Sequence, residues 1–175
     1  MKLVLALVLP LALSACNEEA VQSALPAPRH LTEDAAGYYC QMVVLDHAGP
    51  KAQLFLSGMP EPLWFSQVRD GLAYLKSPER DGDPLVLYVN DMGKARAWND
   101  PGADNWIDAA KAYYVIGSDA RGGMGAPETV PFGDRQSAEA FARDHGGKIM
   151  RLEEIPAETV LSPVDMNPSV KEAAQ

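Results

Sequence analysis

Apolar and polar positions recur in the same order twice between residues 37 and 156. The first pass begins with the aromatic-led run YYCQMVVL (38–45), followed by KAQLFL (51–56). Val68, Leu72 and Leu75 then recur at helical spacing within SQVRDGLAYLK, and PLVLYV (84–89) closes the pass. The second pass has AYYVIG (112–117), ETVPF (128–132), Ala138, Phe141 and Ala142 at helical spacing, and KIMRLEEI (148–155). Asp134 has the chemistry of a helix N-cap, and Gly146-Gly147 that of a stop. A motif-level echo supports the duplication: Gly58-Met59-Pro60 precedes the first helix and Gly123-Met124-Gly125 the second. The pattern predicts an α+β fold of two related ββαβ units packed together. The first unit and its linker span 37–108, the second 109–156. Trp98 and Trp106, in the linker from Gly93 to Asp108, are expected to plug the seam between the units.

The ends read differently. Lys2 and the apolar run Leu3 to Leu13, which contains Pro10, form a signal peptide over residues 1–15, too short to span a bilayer comfortably. Leu13-Ser14-Ala15-Cys16 resembles a bacterial lipobox, in which Cys16 becomes the acylated first residue; the alternative is an ordinary secretory signal with a chance cysteine. Several acyl chains, at about 0.8 kcal/mol per buried methylene, would anchor the chain stably. Asn17 carries no strong inner-membrane retention signal, so the expected location is the periplasmic face of the outer membrane. Residues 16–36, polar and proline-bearing, are expected to form a flexible lipidated tether, and 157–175 a disordered tail.

Charge and cysteine count narrow the function. The formal charge of −9 becomes −10 when residues 1–15, which carry one lysine and no acid, are removed. An acidic chain argues against nucleic acid and against a basic membrane-surface patch. With Cys16 lipidated, Cys40 is the single thiol of the mature chain and has no intramolecular partner. In an oxidising compartment such a thiol must be buried, paired between chains or bound to something.

On an extended strand Cys40 and Met42 would project from one face with Gln41 opposite. A thiolate beside a thioether suits a soft cation such as Cu(I), but both residue types also pack in cores, and spacing alone leaves the two readings level. Met124 favours the ligand reading, because Arg121-Gly122-Gly123-Met124-Gly125 has no strand or helix period that would bury it. Met59, its counterpart in the first unit, is a secondary ligand candidate that is expected rather to pack; Met92 belongs to a turn, and Met150 to the core. His47 follows Cys40 by seven residues, roughly 23 Å along an extended strand, which keeps it from sharing an ion with Cys40. His30, on the tether, could fold back as a supplementary nitrogen ligand. There is no phosphate-binding glycine loop, nucleophile elbow, HExxH or CxxC, so no catalytic set emerges.

Several segments in order resemble the NosL family of copper-binding lipoprotein accessories to nitrous-oxide reductase. They are the lipobox cysteine, Cys40-Gln41-Met42, YVNDMG (88–93), NWIDAAKAYYVIGS (105–118), GGMGAP (122–127) and FARDHGGKIMRLEEI (141–155). The family often has glycine where this chain has Gln41. The resemblance implies two ββαβ units similar to part of organomercurial lyase, with Cys40, Met42 and Met124 as sulfur ligands for Cu(I). It further implies delivery through a periplasmic copper-sulfur assembly protein associated with an ABC transporter, toward the copper-sulfur centre of nitrous-oxide reductase in denitrification. Two other readings are an organomercurial-lyase-like enzyme, against which the single thiol argues, and a structural lipoprotein whose sulfurs merely pack. Lipidation is testable directly: Cys16→Ala should give an uncleaved or soluble chain without acyl mass by mass spectrometry. Membrane retention of that variant at unmodified mass would remove the anchor.

Overall fold

The computed structural model describes residues 25–164. The signal peptide, Cys16 and most of the expected tether therefore lie outside the described residues, as do Met166 and the rest of the tail.

The two ββαβ units are present, with the same strand order. In the first, β1 (Ala52–Leu56) is central, pairing antiparallel with β2 (Leu63–Phe65) and β3 (Pro84–Asn90), and α1 (Val68–Lys76) connects β2 to β3. A fourth strand, β4 (Trp106–Asp108), pairs with β3 in the stretch expected to be linker. In the second unit, β5 (Tyr113–Ile116) is central between β6 (Val130–Phe132) and β7 (Lys148–Met150), with α2 (Arg135–His145) joining β6 to β7.

One assignment shifts by an element. YYCQMVVL is not the first strand of its unit; KAQLFL takes that role and LWF (63–65) becomes the second strand. Residues 38–40 turn, Gln41 has a φ of 57°, and Val44–Asp46 forms a short 3-10 helix. The apolar, aromatic composition imitates a strand. The backbone instead closes on itself, with Gly37 N–H donating to Met42 O and Gln41 N–H to Gly37 O, both at 2.8 Å.

The helices form where their periodicity and caps predict. Val68 and Leu72 are buried on α1, and Ala138 on α2. Asp134 accepts from Ser137 N at 2.8 Å, and Gly146 and Gly147 end α2 at φ values of 73° and 96°, which glycine adopts without a Cβ penalty.

Burial joins the units. Ala52, Leu54, Phe65, Leu72 and Val89 share a core with Ala112, Tyr114 and Ile155 of the second unit. Trp98 does sit at the seam, against Phe141 of α2 and over Gly49. Trp106 does not; it packs on Trp64 beside Leu31, Ala35 and Val44.

The flanks of this body are more ordered than their composition suggests. Gln53, fully buried, exchanges two hydrogen bonds with the backbone of Arg29, and Tyr88 donates to Pro26 O, so 26–35 lies on the first sheet. At the other end, α3 (Ala157–Leu161) occupies the beginning of the expected tail. It packs on α1, whose Arg69 donates to the carbonyls of Thr159 and Ser162 at 2.6 and 3.0 Å, a cation at a helix C-terminus.

Glu128 is the strongest polar tie across the seam. It enters β6 fully buried, yet accepts from Val68 N and Arg69 N, the first amides of α1, and from Thr129 N. Burial raises its carboxyl to about 7, against the opposing pull of those three amides. Because the folded pKa lies above the ordinary 4.5, this group's contribution to stability is complete below about 4.5 and is lost as the pH rises through about 7. Urea unfolding at pH 4.5 and pH 8 should show the parent losing about 2–3 kcal/mol relative to Glu128→Gln, which has no such proton to release. Parallel profiles would show that Glu128 does not titrate in this range.

Candidate metal centre

Three chain segments meet at the two residues between β2 and α1. Ser66 and Gln67 are buried, at 2 % and 4 % exposure. On one side, Ser66 Oγ lies 3.4 Å from Cys40 Sγ. On the other, Gln67 Oε1 accepts from Met124 N at 3.3 Å. Cys40 comes from the first unit and Met124 from the β5–β6 connection of the second, so the seam between units is where the two sulfur-bearing segments converge.

The glycines of these segments mark how close the approach is. A Cβ at Gly37 would sit 2.6 Å from Cys40 Sγ and 2.9 Å from Ser66 Oγ. One at Gly122 would sit 2.5 Å from Gln67 Oε1 and 2.6 Å from Glu128 Oε2. One at Gly123 would collide with His47 Cβ. The GGMG loop is thus pressed against the first unit, and its glycines are needed for that contact.

Cys40 is half-buried and free, and Met42 is 44 % exposed at the end of the same turn. Their adjacency comes from that turn, not from the alternation of a strand. Gln41, in the left-handed region, offsets its strain by donating through Nε2 to Tyr38 O at 2.7 Å and to Gly37 O at 3.4 Å. A left-handed position is also where glycine costs least, which accounts physically for the glycine expected there from the family resemblance.

The distance expected for His47 assumes an extended chain, and the chain is not extended there. The 3-10 turn at Val44–Asp46 curls the segment so that His47 Nδ1 lies 3.1 Å from Gly123 O, next to Met124. A carbonyl can only accept, so Nδ1 carries a proton, and in the neutral ring Nε2 keeps its lone pair. That Nε2 is buried without a hydrogen-bond partner. The Asp46-His47-Ala48-Gly49-Pro50 turn chemistry was the available signal that the strand could not continue.

Lys51 fixes the floor beneath His47. Its buried ammonium donates to the carbonyls of His47, Ala48, Gly49 and Ser66 at 2.5, 3.2, 2.7 and 3.2 Å. Burial lowers its pKa to about 8, with Glu128 pulling the other way.

The remaining candidates lie elsewhere. His30 does not fold back; it pairs with Asp104 at 2.8 Å on the surface. His145 pairs with Asp119 and stacks on Phe141. Met59 is 45 % exposed at the β1–β2 turn, so it is not a packing residue, and it lies at the opposite end of that hairpin from Ser66. Topologically it does correspond to Met124, since each occupies the connection between the first two strands of its unit. The first connection is short, whereas the second is long enough to reach the other unit. Met92 and Met150 pack against the cores. Among the described residues, no group of three or more His, Cys, Asp and Glu side chains converges.

The NosL family profile matches residues 28–160. A copper-binding lipoprotein NosL from Achromobacter cycloclastes is 54 % identical over 154 residues, 87 % of this chain and 79 % of the relative. One of the same description from Stutzerimonas stutzeri is 36 % identical over 154 residues, 86 % and 77 % of the two chains. The crystal structure of the copper chaperone NosL from Shewanella denitrificans superposes with a TM-score of 0.69 at 29 % identity, covering 74 % of this chain and 95 % of the other.

The turn geometry makes its own prediction. Gln41→Val, which adds β-branching at a left-handed position, should lower unfolding stability by about 1–2 kcal/mol, while Gln41→Gly should stay within about 1 kcal/mol of the parent. Equal stability for all three would mean the turn is not left-handed at Gln41.

Proposed function

Because this chain belongs to the NosL family, we propose that it is a Cu(I) carrier, anchored by acylated Cys16 at the periplasmic face of a membrane, most simply the outer one. The observation that carries the reading is the convergence of Cys40 and the Met124 loop on the Ser66–Gln67 turn. The copper is cargo, not a catalytic group, and the role is delivery without turnover of a substrate.

The ligand chemistry supports transport of a soft monovalent ion. Cys40 provides the only soft anion, with Ser66 Oγ placed to donate to the thiolate once its proton has left. Met42 and Met124 add neutral thioethers, which favour Cu(I) over zinc or hard divalent ions. His47 Nε2, unprotonated and held by the Gly123 carbonyl at the other ring nitrogen, is a fourth donor in the arrangement typical of metal-bound imidazole.

Handover follows from the uneven burial of these donors. Cys40 and Met124 are half-buried and held by neighbours, whereas Met42 is exposed at the rim. An acceptor's sulfur can enter beside Met42 and displace it before the thiolate lets go, so the ion need not pass free through solvent. The family resemblance supplies the destination we propose: a periplasmic copper-sulfur assembly protein associated with an ABC transporter, and through it the copper-sulfur centre of nitrous-oxide reductase.

Cys40→Ser tests the reading. It keeps the size and the bond to Ser66, so folding should be unchanged, but it replaces a soft anion with a hard neutral oxygen. Competition against a Cu(I) chelator should show affinity falling by about two orders of magnitude or more, with the parent's affinity rising with pH as binding releases the thiol proton. Parent-like affinity in Cys40→Ser would place the site elsewhere.

A further inference from the structure

Gln67 occupies the N-cap position of α1, with extended backbone at φ −148°, yet its side chain makes no capping bond. The first two amides of the helix, Val68 N and Arg69 N, are taken by the side chain of Glu128 from the second unit, and Arg69 N is one of the amides an N-cap side chain would serve. This substitution of one cap by another frees the Gln67 amide for a different use. Its Nε2 donates to Asp70 Oδ1 at 2.9 Å, which orients the group with the oxygen outward from the helix. Its Oε1 then accepts the backbone N–H of Met124 at 3.3 Å.

The loop around Met124 has few other restraints. Within it, Gly122 N–H donates to Ala126 O and Gly125 N–H to Gly122 O, both closing the loop on itself. Ties to the first unit are the Gly123 carbonyl at His47 and the Met124 amide at Gln67. Of these, only the Gln67 bond reaches the methionine itself. Gly122 lies against the same Gln67 oxygen, so the loop meets this side chain at two positions, Gly122 and Met124.

We propose that Gln67 is a positioning residue for copper: its side-chain oxygen holds Met124 at the distance from Cys40 that lets both sulfurs take one ion. This rests on the copper reading above. Ser66 fixes the thiol on one side of the turn and Gln67 the thioether loop on the other, so two adjacent residues set the sulfur-to-sulfur separation across the seam. A methionine whose own tie to the first unit is one neutral hydrogen bond can still yield, which suits a ligand that must be released.

Two measurements test this separately from the copper reading. Gln67→Leu removes the acceptor while keeping most of the bulk, and Gln67→Ala provides a second variant should the first not fold. In the metal-free protein, amide exchange at Met124 should quicken about tenfold in Gln67→Leu, while exchange at Val89 and Val115 in the cores stays unchanged. In chelator competition, Gln67→Leu should weaken Cu(I) binding roughly three- to tenfold, but should cause no further loss in a Met124→Ala background. Unchanged Met124 exchange would overturn the positioning role. So would an equal loss of affinity in both backgrounds, since the effect would then not run through Met124. Parent-like affinity in Met124→Ala would instead strike Met124 from the site, and the role of Gln67 toward copper with it.

Discussion

A buried ammonium and a buried carboxyl group stand on either side of the turn from β2 into α1. Lys51, at the entry to β1, is surrounded by four carbonyls; Glu128, at the entry to β6, takes three amides. A charge removed from water costs several kcal/mol unless its hydrogen-bonding capacity is met, so each group constrains the backbone that satisfies it. The ammonium gathers 47–49 and Ser66 into one small shell. The carboxylate requires the first turn of α1 to face the second unit. The shared apolar core joins the units, and these two polar shells add the requirement that the seam close at Ser66 and Gln67.

The proposed copper site inherits its character from that seam. Its thiol is on a turn of the first unit, its loop methionine on a connection of the second, and its histidine on the curled segment that Lys51 pins. Ligands drawn from separate segments, linked by single hydrogen bonds, can be strong enough together to hold a soft ion and individually weak enough to yield to a competing sulfur. A resident cofactor would be served better by a closed cage. The exposed Met42 and the half-buried Cys40 fit exchange with another protein's ligands at the surface.

Duplication shaped this asymmetry. Both units have the strand order second-first-third, and both place a Gly-Met pair in the connection between their first two strands. Only the longer connection, from 117 to 129, reaches across to the neighbouring unit, so one methionine is brought to the Ser66–Gln67 turn and its counterpart Met59 remains at a hairpin tip. The copies diverged in loop length, and loop length decides which methionine can take part.

The sequence by itself determined what local periodicity and capping can encode: β1, β3, β5 and β6, the two long helices with Asp134 and Gly146 at their ends, and the repeat that orders them. It also marked Cys40, Met42 and Met124 by residue type, since a lone thiol and a glycine-flanked methionine have few structural uses. Tertiary structure alone decided how these come together. YYCQMVV has the composition of a strand, and only the left-handed Gln41 and the bonds closing Gly37 on Met42 make it a turn. His47 meets Gly123 through the 3-10 turn at Val44–Asp46 that follows, because a separation of seven residues means little once the chain curls. The tie between Gln67 and Met124 joins positions 57 residues apart, and the cap given by Glu128 spans 60. Such contacts depend on how two units dock, and docking is set by buried charges and shared apolar surface that no short window of sequence contains.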